Sequence, residues 1–271
     1  MWKIIIIVTL TASIIANFIP TPLELQKAFN SGQNFYASGD FKKAIKQYDF
    51  IINTESKFLN EDSVKVALFN GDLIVSVKTA AYYQKGNALR KLKNNAEAIE
   101  SFRVVSEKRN DSPWLSALAQ YQIADIYYSE GKLEEAIAES KKLIDRFPND
   151  ERVPKAYYTI GWAFRELKML DSSIFYFKAL VEKFPKGELV PHSMYQIGQN
   201  YYDKGNFDIA LNWFKDIVDK FKPESFKREE FEKIELRKIS YKSLVRDAIF
   251  KISCCFLISF ELIVKRATSI N

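Results

Sequence analysis

Few side chains in this sequence have the type and spacing that chemistry requires. His192 is the only histidine, which removes most metal sites and the nucleophile arrangements that need an imidazole as base. Ser129-Glu130-Gly131-Lys132 has the S-x-x-K spacing with which some acyl-transfer enzymes activate a serine. It coincides with a helix-ending glycine, however, and no second group converges on it. Cys254 and Cys255 are the only cysteines. Neighbours in sequence rarely close a disulfide on each other, and on an apolar stretch they behave as small hydrophobes. No phosphate-cradling glycine loop, H-E-x-x-H or G-x-S-x-G is present. The sequence points away from an enzyme and implies no catalytic residue, no metal and no cofactor.

A recognition pattern is better supported. Tyr36, Arg90, Tyr128, Arg165 and Tyr202 recur at one position of a repeating unit, ending at Leu257, with Asp125, Trp162 and Gln199 close by. Tyrosine, tryptophan and arginine are the residues that dominate protein-binding hot spots. A second row, Phe29, Tyr83, Tyr121, Tyr158, Tyr195 and Phe250, lies seven residues earlier in each unit. Two helical turns separate the rows, so they share a face. Large aromatics at helical spacing usually pack between helices, and the earlier row reads as packing. Arg90 and Arg165 argue for solvent at the later row, which makes Tyr36, Arg90, Tyr128, Trp162, Arg165, Gln199 and Tyr202 the candidate partner-binding residues.

The elements that position these residues come from a repeat. Ala124, Gly161 and Gly198 fall 37 residues apart, as do Tyr121, Tyr158 and Tyr195. A period of that size marks an array of helix pairs, and apolar residues recur at three and four in two runs per unit. Gly131-x-Leu133-x-x-Ala136 and Gly205-x-Phe207-x-x-Ala210 mark the turn between the helices, where glycine permits a left-handed residue. The small residues Ala124, Gly161 and Gly198, with Ala136, Ser173 and Ala210 opposite, would let two backbones approach closely. Pro148 and Pro185 end the second helices.

These offsets of small residue, aromatic, alanine, aromatic and proline resemble the tetratricopeptide repeat family. The resemblance implies an all-α helix-pair solenoid of about five repeats plus a degenerate C-terminal one, with the face bearing the two rows lining a concave groove. Arg146-Phe147-Pro148 and Lys183-Phe184-Pro185 look like the repeat endings of exported bacterial envelope members. The BamD-like component of the outer-membrane β-barrel assembly machine and the periplasmic coordinator of the Tol-Pal system are of this kind. No lipid-attachment cysteine follows the N-terminal apolar run, a departure from the BamD-like pattern.

Along the chain, residues 1–16 have the outline of a secretory signal, with Lys3, an apolar run from Ile4 and a cleavage position at Ala16. An uncleaved anchor reaching Ile19 is the alternative. Repeats occupy residues 24–110, interrupted by an insertion at 54–78 in which apolar residues alternate on either side of Asn70-Gly71. That is a hairpin signal, a β-hairpin near 63–77 being weighed against an irregular helix extension. Asp111-Ser112-Pro113 breaks the chain before three regular repeats at 112–222. Residues 223–271 hold a charged helix and a terminal repeat whose turn signals fail. The apolar stretch 248–264 contains Lys251 and Glu261, which disfavours a membrane span.

The excess of 40 basic over 34 acidic residues is spread along the chain without a concentrated patch, so nucleic acid is not an expected partner. The expected function is a non-catalytic scaffold of the periplasm or cell envelope that binds a protein or an extended peptide segment, with peripheral membrane association open and oligomeric state undetermined. A membrane-tethered structural protein and an accessory subunit of an envelope enzyme complex are the alternatives. Export predicts a mature N-terminus near Asn17, and N-terminal sequencing of envelope material that returns Met1 would refute cleavage.

Overall fold

The computed structural model describes residues 20–54, 64–108, 111–221 and 246–255. The signal-segment expectation for 1–16, the charged helix expected within 223–245 and the apolar sequence beyond 255 lie outside these residues. The described chain is mostly helical: α1 (Pro22–Ala37), α2 (Phe41–Ile52), α3 (Val77–Lys91), α4 (Asn95–Glu107), α5 (Pro113–Ser129), α6 (Leu133–Arg146), α7 (Val153–Glu166), α8 (Leu170–Lys183), α9 (Val190–Asp203), α10 (Phe207–Lys220) and α11 (246–255). One hairpin, β1 (Lys65–Leu68) and β2 (Leu73–Ser76), precedes α3. The fold is an all-α array of helix pairs with a small two-stranded sheet near its N-terminus. It divides into two compact units between Ile123 and Ala124, inside α5.

Four of the five helix pairs among the described residues are locked by one contact. The aromatic residue sixteen positions after the small residue, on the second helix, lies over a glycine of the first: Tyr48 on Gly32, Phe102 on Gly86, Phe177 on Gly161 and Phe214 on Gly198. A Cβ at these glycines would stand 2.5, 2.8, 2.7 and 2.7 Å from a ring carbon. The close approach expected from the small residues is therefore that of a buried ring to a backbone, not of two backbones. The same ring meets the earlier aromatic row, with centroids 5.5 to 6.0 Å apart in Phe29–Tyr48, Tyr83–Phe102, Tyr158–Phe177 and Tyr195–Phe214. At these four positions the row is packing, as its type implied, whereas Phe250 at the end of the row is exposed. Ala124 stands where the others have glycine, and there Ser140 replaces the ring.

The turns repeat as closely. Seven residues after the small position the backbone is left-handed in every pair: Gly39, Lys93, Gly131, Lys168 and Gly205, with φ of 82, 60, 72, 61 and 77°. Two lysines thus adopt a conformation that costs a side chain roughly 1–2 kcal/mol. Packing of the pairs holds them there, and the turn survives without its glycine.

In the first unit the insertion is the hairpin, antiparallel with Leu68 opposite Leu73 and Lys65 opposite Ser76. The turn around Asn70-Gly71 runs from Phe69 to Asp72, because Phe69 leaves the ladder. Its φ is 52°, and its ring lies 5.9 Å from Tyr83 and 5.3 Å from Trp114. Val66, Leu68 and Val75 are buried. Asp111 ties the strand end down by accepting from the Ser76 backbone N–H at 3.1 Å and from Lys65 at 3.1 Å. Burial pushes its carboxyl pKa up, but hydrogen bonds from Thr79, Lys65 and Ser76 prevail and hold it below the usual value. Ser76 in turn caps α3 through the Thr79 N–H, so hairpin, helix start and the turn before α5 share one polar junction.

Gly161→Ala tests the ring contact. The added methyl would stand 2.7 Å from the buried Phe177 ring, and overpacking of this kind costs about 1–3 kcal/mol, against about 1 kcal/mol gained in helix propensity. Combining it with Phe177→Leu should cost less than the two single changes summed in thermal or denaturant unfolding; strict additivity would show that the contact is not shared.

Candidate functional site

The later row sits on the first helices α1, α3, α5, α7 and α9, but it is not a set of free surface side chains. In the first unit Tyr36 packs edge-on against Phe41 at 5.3 Å. Its hydroxyl pKa is raised by burial, with the Arg90 charge opposing the shift. Arg90 on α3 donates to the Gln122 side-chain oxygen on α5. Three successive first helices are thereby linked through the row.

The second unit repeats the theme. Tyr128 donates its hydroxyl to Glu166 of the next first helix; burial and that carboxylate both push its pKa up. Arg165 on α7 donates to the Asn200 oxygen and, at 2.6 Å, to Asp203, both on α9. Gln199 donates to the other oxygen of Asp203 at 2.7 Å. Tyr202 lies edge-on to Phe207 at 5.2 Å, and the Lys251 ammonium sits 4.5 Å from its ring centroid. Trp162 is half-buried, its ring 6.2 Å from Tyr158 and 6.3 Å from Phe177.

Solvent exposure of Arg90 and Arg165 is therefore corrected: each is half-buried and reaches toward the next repeat. Arg90 is held by Gln122; for Arg165 the physical reason is Asn200, fully buried at a position where the three repeats before it carry Ala88, Ile126 and Ala163 and the first carries Asn34. Its amide donates to Ser173 at 2.8 Å, and Ser173 donates to the Gly161 carbonyl at 2.7 Å. With Arg165 on the amide oxygen, the circuit runs from α7 through α8 and α9 back to α7, satisfying buried polar groups that would otherwise be costly. Ser173 stands where Ala44, Ala98, Ala136 and Ala210 stand elsewhere. Ser173 among alanines, and Asn200 where the three repeats before it are apolar, were the available signal; Asn200, Asp203, Glu166 and Gln122 were missed because the partners of an arginine or a tyrosine hydroxyl are chosen in space.

The chemically suggestive residues are not arranged for reaction. The Ser129 hydroxyl donates to the Ile126 carbonyl at 2.8 Å. Lys132 pairs with Glu130 at 2.9 Å, and this raises its pKa, opposite to what a lysine base needs. Burial raises the Cys255 thiol pKa and lowers that of His192. Among the described residues no group of His, Cys, Asp and Glu could hold a metal ion, and no helix is long and apolar enough to cross a membrane.

Residues 118–150 and 155–187 match a tetratricopeptide repeat family model, and residues 79–104 match a second model of the same description. A search among curated proteins gave no match. Solved structures of similar fold include a MamA protein, at 18% identity and a TM-score of 0.52, covering 72% of this chain and 91% of that one. MamA from residue 41 to its end, from Desulfovibrio magneticus RS-1, matches at 17% identity and a TM-score of 0.51, covering 74% and 96%. The fold is the tetratricopeptide helix-pair solenoid.

Replacing Arg165 by Ala should destabilise the chain by about 1–3 kcal/mol, because the Asn200 oxygen is left buried and unpaired. Gln199→Ala should stay within about 0.5 kcal/mol, as surface changes do. Equal melting shifts for the two variants would show that the circuit does not carry load.

Proposed function

We propose that this chain is a non-catalytic protein-binding scaffold that works in the bacterial cell envelope, exported by the signal segment expected at residues 1–16. The observation that carries the binding reading is the patch on α7 and α9 formed by Trp162, Arg165, Gln199 and Asp203. It combines a partly exposed aromatic with polar groups already fixed by one another. Side chains held in place before binding lose little further entropy when a partner docks. Tyr128 on α5 and Tyr202 on α9 flank the patch.

The pairing of Arg165 with Asp203 also bears on what would bind. An arginine whose charge is compensated 2.6 Å away offers little net attraction for an acidic segment. Selection would rest on apolar contact with Trp162 and on hydrogen bonds from Gln199, which suits an extended peptide read by shape more than by charge. The envelope setting draws its support from the [RK]-F-P repeat endings and the N-terminal apolar run.

A photoreactive residue at Gln199, introduced in native envelopes, should crosslink a specific protein. Trp162→Ala should reduce that crosslink and weaken binding at least about fivefold, as loss of a hot-spot residue does. Gln199→Ala, expected to stay within about 0.5 kcal/mol of wild-type stability, provides the companion measurement. Wild-type affinity in both variants would remove this face as the partner site, and copurification of a catalytic subunit at the same face would recast the chain as an accessory subunit.

A further inference from the structure

Asn70, in the hairpin turn, is the one asparagine of the sequence that glycine follows. An asparagine side-chain amide is open to attack by the backbone nitrogen of the next residue. What ordinarily prevents this is a following side chain that crowds the nitrogen, or a helix that holds the backbone. Gly71 supplies no side chain, and a Cβ placed on it would have no atom within 4 Å. Both residues are exposed, and the Asn70 amide has no hydrogen-bond partner among the described residues.

The backbone around Asn70 is lightly held. The ladder ends at Leu68 opposite Leu73, and Asp72 closes the turn by donating its N–H to the Phe69 carbonyl at 3.3 Å. Phe69 and Asn70 are both left-handed, with φ of 52 and 60°, a region that disfavours residues with a side chain. An exposed turn with one closing bond opens at low cost, so the rotation that brings Asn70 Cγ to the Gly71 nitrogen is accessible. Other asparagines are better protected. Asn34 and Asn87 lie inside helices, Asn200 is buried and bonded to Ser173 and Arg165, and Phe207 follows Asn206.

We propose that Asn70 is a self-modification site, at which the hairpin turn deamidates through a succinimide to isoaspartate. The Gly71 nitrogen forms a bond to Asn70 Cγ, the Cγ–Nδ2 bond breaks, and ammonia leaves with the Gly71 amide proton. Water then opens the ring. Attack at Cγ gives aspartate, whereas attack at the main-chain carbonyl carbon gives isoaspartate, in which the chain runs through Cβ and Cγ and the α-carboxylate is free. One water is consumed, one ammonia is released and nothing is oxidised. Isoaspartate lengthens the main chain by one carbon between Phe69 and Gly71 and sets a negative charge beside Asp72. The seat of the Phe69 ring, 5.3 Å from Trp114 and 5.9 Å from Tyr83, depends on the spacing of that turn, and the lengthened turn gives it up. The free carboxylate is the group that an isoaspartate-specific carboxyl methyltransferase accepts, which names the class of enzyme that acts on the aged chain. None of this rests on the Trp162 patch.

The test holds the full chain in mildly alkaline buffer made with heavy-oxygen water, then digests samples with trypsin in ordinary water for mass spectrometry. The peptide Val66–Lys78 should be the first asparagine peptide to turn from amide to acid, taking up one heavy oxygen. The methyltransferase should then label it from S-adenosylmethionine. Asn70→Gln, whose longer side chain does not close the succinimide, should lose both signals. Chymotryptic cleavage after Phe69 should be faster in the aged chain than in the fresh one, while Asn70→Asp, which adds the charge without the extra carbon, should be cleaved as the fresh chain is. Earlier conversion of another asparagine peptide, acid formation without methyl labelling, or signals that persist in Asn70→Gln overturn the proposed site. Aged chain cleaved no faster than fresh chain or than Asn70→Asp overturns the release of Phe69.

Discussion

The structure depends on the seating of one aromatic ring on one glycine, a contact made in four of the five described helix pairs. Tyr48, Phe102, Phe177 and Phe214 are fully buried, and each lies at the only point where the first helix lacks a Cβ. Truncating a buried Phe to Ala typically costs about 3–5 kcal/mol, so this contact outweighs any single turn or cap. It also fixes geometry. A ring held against a backbone sets the spacing of the two helices and presents its other edge to the aromatic of the earlier row, whose place on the first helix follows.

With the pair spacing fixed, local preference becomes negotiable. Lys93 and Lys168 occupy the left-handed turn position that glycine fills in the other pairs, and the helices still reverse at the same residue. The third pair makes the complementary trade, with Ala124 and Ser140 in place of glycine and ring. Backbone strain of 1–2 kcal/mol is small beside the burial of a pair's apolar face, which is why a repeat can lose one signature residue and keep its form.

Polar contacts do the remaining work of holding successive repeats together. Arg90, Tyr128 and Arg165 each reach the next first helix, and the Ser173–Asn200–Arg165 circuit buries its polar atoms with partners. Inside a low-dielectric contact such a network is rigid because breaking one bond exposes an unsatisfied group. The first-helix face around Trp162 is consequently a fixed surface.

Sequence alone carried the helix pairs and the turns that have a glycine, and it favoured a hairpin over a helix extension at the insertion, because these rest on periodicity, left-handed turn residues and alternation, all local to the chain. It also placed Phe29, Tyr83, Tyr158 and Tyr195 as packing residues, since their position in the repeat is independent of what they touch. Tertiary structure decided the rest. That Arg165 is held by Asn200 and Asp203, that Phe69 leaves the hairpin for Tyr83 and Trp114, and that Asp111 secures Ser76 are pairings across 14 to 45 residues of chain. Hydrogen-bond and ring partners are selected by which side chains the packed helices bring within reach, and a one-dimensional pattern carries the candidates for such a contact without the distance that chooses among them.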